Sequence, residues 1–133
     1  MSQPPVSLGI ISACAGQALT FGIVFRQTST TYFPLTGIVL TSQVRKGVPV
    51  TAPLAVPSIT MPAPGETDPR AEATAYFGLT EAQMAALPSR ATTFQSFTSY
   101  TLDIEAAYAD DPTTEVLRFY ASINVYPGGL APT

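Results

Sequence analysis

Several groups of side chains in this sequence have types and spacings that chemistry can use. Asp103 and Glu105 stand two residues apart, so an extended strand places both carboxylates on one face. Paired carboxylates are the machinery of glycoside cleavage. The alternation around them makes the same pair the polar half of a half-buried strand, and that simpler reading is favoured. Asp110, Asp111 and Glu115 could gather oxygens for a calcium ion. Their spacing fits no full calcium loop, however, and Asp110-Asp111-Pro112-Thr113-Thr114 is a cluster that a hairpin turn needs for backbone reasons. Tyr32 and Phe33 end a polar, Thr-rich stretch. An aromatic pair at a loop tip suits contact with a partner or a sugar better than catalysis.

The residues that are missing narrow the chemistry further. The chain has no His, which removes the usual general base near neutral pH and the commonest metal ligand. Ser and Thr are abundant, yet none has a neighbour that would activate it as a nucleophile. The expectation is a protein that is not an enzyme and needs no cofactor or metal. Trp is also absent, which weakens a sugar-stacking reading. The single cysteine, Cys14, excludes an intramolecular disulfide and fits assembly in a reducing cytoplasm. It reads as a small buried hydrophobe rather than a reactive thiol.

Composition sets the frame in which these residues act. At 133 residues the chain is one domain by size, with room for a single core. Apolar residues make up 46% and charged residues 11%, against about 25% charged in an ordinary soluble domain. So little charge suits either a surface covered by neighbours in a large assembly or a polar Ser/Thr surface of a virion or extracellular protein. The net charge is −3 and the six basic residues are scattered, so nucleic acid is not an expected partner. No stretch reaches the ~18 apolar residues that span a bilayer, and no membrane association is expected.

The elements that must position these residues are marked by capping and by periodicity. In Leu79-Thr80-Glu81-Ala82-Gln83-Met84-Ala85-Ala86-Leu87-Pro88, Thr80 is a helix N-cap and Gln83 completes a capping box. Leu79 and Met84 form a hydrophobic staple, Glu81 suits the first turn, and Pro88 stops the helix. A helix of about two turns is not stable alone, so Leu79, Met84 and Leu87 must plug a core built by other segments. That core is β. Tyr100, Leu102, Ile104, Ala106 and Tyr108 alternate with polar residues, as do Leu117, Phe119, Ala121, Ile123 and Val125. Earlier strands are expected over residues 18–26, with Leu19, Phe21, Ile23 and Phe25 inward, and over 35–46, with Ile38, Leu40, Ser42 and Val44 inward. Residues 54–61 suit an edge strand, because Pro53 and Pro57 lack a ladder donor. Residues 70–77 alternate Ala71, Ala73, Ala75 and Phe77 with polar neighbours, as a further strand. Six or seven short strands separated by turns predict an all-β antiparallel β-sandwich with one short helix between strands.

The order of these motifs also resembles a known family. Gly16-Gln17-x-Leu19-x-Phe21, Pro34-Leu35-Thr36-Gly37 running to Gln43-Val44-Arg45-Lys46, then Leu79-Thr80-x-x-Gln83-x-x-x-Leu87 and Tyr100-x-Leu102-x-Ile104 are similar to the immunoglobulin-like N-terminal domain of phage baseplate upper proteins and to related tail-fibre adaptors. The resemblance covers most of the chain and departs from the pattern in the Pro-rich residues 49–69. It implies an immunoglobulin-like sandwich and a virion setting, with assembly in the host cytoplasm. It carries no functional residue.

Residues 1–15 are expected to be an extended N-terminal arm, residues 16–127 the immunoglobulin-like sandwich, and residues 128–133 a short tail. Ile11-Ser12-Ala13-Cys14 matches a lipoprotein cleavage box only superficially, because no positive region precedes it and Pro4-Pro5 shorten the apolar run. The arm carries Val6, Leu8, Ile10 and Ile11 and no charge, which suits strand addition to a sheet edge, preferably that of a neighbour. With Tyr32 and Phe33 these four residues make the candidate interface. The expected function is a non-enzymatic tail or baseplate adaptor that docks fibres or neighbouring virion proteins, in multiple copies of a symmetric assembly. Capsid decoration and host-glycan binding are the alternatives.

Overall fold

The structure, a computed structural model, describes residues 6–26, 30–46, 53–91, 93 and 95–127, with the backbone alone for residues 6 and 112–117. The elements in chain order are β1 (Val6–Cys14), β2 (Leu19–Val24), β3 (Ile38–Arg45), β4 (Ser58–Thr60), α1 (Pro69–Glu72), β5 (Thr74–Leu79), α2 (Glu81–Met84), β6 (Thr98–Tyr108) and β7 (Asp111–Tyr126). One sheet has the order β1-β7-β6-β3 and the other β2-β5-β4. These are the C-F-G and B-E-D groupings of an immunoglobulin sandwich, with the first strand added beside the last. The protein is thus an all-β, immunoglobulin-like sandwich. Its strand pairs are antiparallel except β1–β7, which is parallel.

The core lies between the sheets because each strand turns alternate residues inward. Leu40, Ser42 and Val44 of β3 pair with Ala106, Ile104 and Leu102 of β6 on their shared ladder, and these six are buried, as are Ile38 and Tyr100. From β7 come Phe119, Ala121, Ile123 and Val125, and from the second sheet Ile23, Ala75, Phe77 and Leu79. Phe25, just beyond β2, meets Phe119 edge-on with ring centroids 4.9 Å apart. Ser42 is the exception in this list: among the described residues its buried hydroxyl has no hydrogen-bond partner.

A corner hydrogen bond fixes the approach to β6. Tyr100 Oη donates to the carbonyl oxygen of Pro88 at 2.5 Å, the tyrosine corner typical of this fold. Two residues on, antibody domains carry their second inter-sheet cysteine; here the position is the fully buried Leu102. Apolar packing therefore joins the sheets where a disulfide would otherwise stand.

The plug helix forms as its caps demand. Thr80 Oγ1 accepts from the Gln83 N–H at 3.1 Å, and Gln83 Oε1 accepts from the Thr80 N–H at 2.9 Å. The same Gln83 side chain donates to the Val56 carbonyl at 2.8 Å, tying the helix to the segment before β4. Past Met84 the turn tightens, with Ala86 and Leu87 amides bonding three residues back. The expected two turns are therefore one α-helical turn and one tighter turn. Met84 and Leu87 are fully buried. Thr80→Ala is expected to lower the unfolding free energy by about 1 kcal/mol. A urea denaturation midpoint equal to that of the native chain would exclude the cap as a stabilising contact.

Two expectations are corrected here. Residues 70–77 are not one strand. Asp68 caps α1, its Oδ1 accepting from the Arg70 N–H at 3.0 Å, and Pro69 occupies the first helical position. These local signals win over the alanine alternation, and β5 starts only at Thr74. Residues 6–14, expected to pair preferably with the sheet edge of a neighbour, pair instead with a strand of their own chain. They form β1, registered on β7 from Val6↔Phe119 to Cys14↔Tyr126 within the same sheet. A shift in register between Ser7 and Ile10, with Gly9 at φ 98°, breaks the period of two, so Leu8 and Ile11 both pack on the core. β1 is thus an edge strand of the four-stranded sheet. Ala13 takes the buried position near the end of β1, and Cys14 is exposed rather than buried.

Candidate interaction face

The six residues expected at an interface are dispersed by the fold. Val6 pairs through its backbone with Phe119, and its side chain lies outside the described residues. Leu8 and Ile11 are half-buried against the core. Tyr32 is half-buried, with the Arg26 guanidinium 4.7 Å from its ring centroid. Phe33 is no loop-tip contact at all. Its N–H donates to the Phe25 carbonyl at 2.9 Å, and its ring sits 6.1 Å from that of Phe119, leaving it 5% exposed. Burial of a large apolar ring outweighs its position in a loop. Ile10 is the member with a free surface, at 70% exposure.

A different set of residues comes together on the outer face of the four-stranded sheet. Strand register aligns Gln43, Asp103 and Tyr120 across β3, β6 and β7, with Thr41, Glu105 and Arg118 in the next outward row. Together with Arg45 they line a shallow concavity of about 530 Å³. Arg45 Nε stands 3.4 Å from Asp103 Oδ2, and the Arg45 guanidinium also donates to Gln43 Oε1. Arg118 donates to Glu105 Oε1 at 2.7 Å. The Arg45–Asp103 pair is the better shielded, with side chains 18% and 26% exposed against 43% and 50% for Arg118–Glu105. The exposed pair is worth at most about 1 kcal/mol, because water and salt screen it.

Burial pushes the Asp103 carboxyl above its ordinary value, an effect that the positive charges of Arg45 and Arg118 oppose and that of Glu105 assists. Desolvation outweighs the two guanidinium groups. The folded protein therefore holds a proton on Asp103 at pH values where the unfolded chain has lost it. The stabilising contribution of that proton is complete below the unfolded value and is lost as pH rises through the folded one. Asp103→Asn is expected to flatten this part of the profile. Urea melts of both proteins at pH values from the ordinary carboxylate range upward should show the native chain gaining relative stability toward acid. A difference that grows in the opposite direction would refute the assignment.

Asp103 and Glu105 do share a face, as expected from their spacing, but each carboxylate answers an arginine rather than the other carboxylate. The arrangement is a charge-paired ladder suited to recognition. Tyr120, 39% exposed, borders it on β7, and Ile10 shares the outer face on β1. Asp110 lies in the exposed hairpin turn, Asp111 opens β7, and the Glu115 side chain is outside the described residues. Among the described residues no three His, Cys, Asp or Glu side chains gather as a metal site. Among the described residues no helix is long and apolar enough to cross a membrane.

Sequence reasoning missed Arg45, Arg118 and Tyr120 as a group. Each occupies a polar position of an alternating strand, and opposite charges become a signal only when the register sets them side by side.

No protein-family model matches the chain, and no curated protein is similar to it in sequence. Among solved structures, that of the NK cell receptor Nkp44, a triggering partner in natural cytotoxicity, is 12% identical over 92% of this chain and 99% of that one, with a TM-score of 0.36. At that score the likeness has no bearing on what the chain does.

Proposed function

We propose that this protein is a non-enzymatic structural component of a phage virion, an immunoglobulin-like adaptor of the tail or baseplate that joins neighbouring proteins. The observation that carries the adaptor role is the outer face of the β1-β7-β6-β3 sheet. It concentrates Arg45, Arg118 and Tyr120, the residue types that dominate binding energy at protein interfaces, around a shallow concavity. Paired charges there favour a partner of matching pattern and disfavour others. The low overall charge suits a chain whose surface is shared with neighbours, and the family resemblance of the sequence supplies the virion setting. Several copies around a symmetry axis would present the face repeatedly.

The test is particle incorporation. The double variant Arg118→Ala/Tyr120→Ala is expected to remain a folded monomer and to be depleted from purified virions. Normal incorporation of that variant would remove the face from the adaptor role. Virion gel densitometry separates this reading from capsid decoration, for which the copy number would be far higher.

A further inference from the structure

The outer face of the other sheet carries a second groove, of about 490 Å³, within the size range of small-ligand sites. Tyr76 is the aromatic side chain in its lining, beside Gly22, Thr60 and Thr74 of the same sheet. Tyr76 lies on the central strand β5, paired with Gly22 of β2 on one side and Thr60 of β4 on the other. A Cβ at position 22 would stand 2.8 Å from Tyr76 Cε1 and 3.0 Å from its Cδ1, so the ring rests across the glycine backbone and a larger residue would displace it. Covering a strand glycine in this way protects the sheet. It also leaves the rest of the ring open, and Tyr76 is 54% exposed.

The wall of the groove is the segment from Met61 through α1, which adds Glu66, Asp68 and Arg70 to the same lining. The Glu66 carboxylate accepts from the Asp68 N–H at 3.1 Å, and the Asp68 carboxylate accepts from the Arg70 N–H at 3.0 Å. Both groups are thereby held in place, while each keeps further acceptor sites. Thr74 Oγ1 donates to the Arg70 carbonyl at 2.6 Å, which ties this wall to the sheet.

We propose that this groove binds carbohydrate, with Tyr76 stacking on the C–H face of a neutral pyranose. Glu66 and Asp68 accept hydrogen bonds from its hydroxyl groups, and Arg70 donates. The argument is one of chemical fit. An open ring lying over the sheet selects a flat ligand with an apolar face. Two carboxylates against one guanidinium repel phosphate and sulfate esters and select a ligand rich in hydroxyl donors. A pyranose meets both demands, whereas a nucleotide or a sulfated glycan fails the second. The site lies on the opposite sheet from the charge-paired ladder and does not depend on the adaptor reading.

The test uses the full chain, isotopically labelled, titrated separately with maltohexaose, cellohexaose, laminarihexaose and chitohexaose while backbone amide signals are followed. At about 10 mM sugar, even millimolar affinity gives near-saturation. The expected result is that at least one sugar shifts the amides of Gly22, Thr60, Thr74 and Tyr76. Tyr76→Phe should bind within about twofold of the native chain, and Tyr76→Ala about tenfold or more weakly. If uncovering Gly22 unfolds Tyr76→Ala, Glu66→Ala in the wall carries the test, with an expected several-fold loss. The proposal is overturned if none of the four sugars moves these amides, if a folded Tyr76→Ala or Glu66→Ala binds like the native chain, or if heparin binds the groove more tightly than every neutral sugar.

Discussion

Phe119→Ala is expected to destabilise the domain by about 3–5 kcal/mol, the usual cost of removing a buried phenylalanine. The ring is fully buried in the middle of β7 and touches both halves of the sandwich. Phe25, just past β2, packs edge-on against it at 76° between ring planes, and Phe33 lies against it from the loop before β3. Such aromatic geometry adds about 0.5–1.5 kcal/mol per pair beyond area burial. Alanine would therefore remove contacts that belong to three segments at once, and rigid strands on both sides limit collapse into the cavity. Against a typical total stability of about 5–15 kcal/mol, the loss is a large share. Urea denaturation and near-ultraviolet circular dichroism would measure it. A loss below about 1 kcal/mol would mean that the aromatic cluster is not the centre of the core.

Deletion of residues 1–14 is expected to be comparably severe. β1 supplies Ala13 to the core and packs Leu8 and Ile11 against it. Losing these side chains costs on the order of 3 kcal/mol at about 25 cal/mol per Å². The larger consequence concerns β7, which would become an edge strand. Its outer backbone groups now pair with β1 from Val6 to Cys14, and after deletion they would form an open template for other chains. The expected product is therefore unfolded or aggregated, seen as loss of the folded circular dichroism signal or as high-mass material in size exclusion. A truncated chain that melts like the native one and stays monomeric would show that β1 is dispensable to the sheet.

The sequence by itself determined those parts of the protein that depend on neighbours along the chain. The capping box of α2 is local chemistry, and both of its hydrogen bonds form between Thr80 and Gln83 as the spacing requires. Period-two alternation marked β2, β3, β6 and β7 and their inward faces, because a strand that buries one face must repeat every second residue. The edge position of β4 followed from prolines that cannot donate to a ladder. Tertiary structure decided everything that rests on which segments meet. Gly9 and the break in register let β1 put Leu8 and Ile11 on the same side, a pattern that no regular period predicts. Phe33 lies in a loop, yet the space beside Phe119 draws it into the core. Arg45 finds Asp103 and Arg118 finds Glu105 only after β3, β6 and β7 align. Tyr76 covers Gly22 only when β2 pairs with β5, 54 positions apart in the chain. Local backbone preferences can be read along a chain, whereas contacts across strands exist only once the register is chosen, and the burial of the whole core makes that choice.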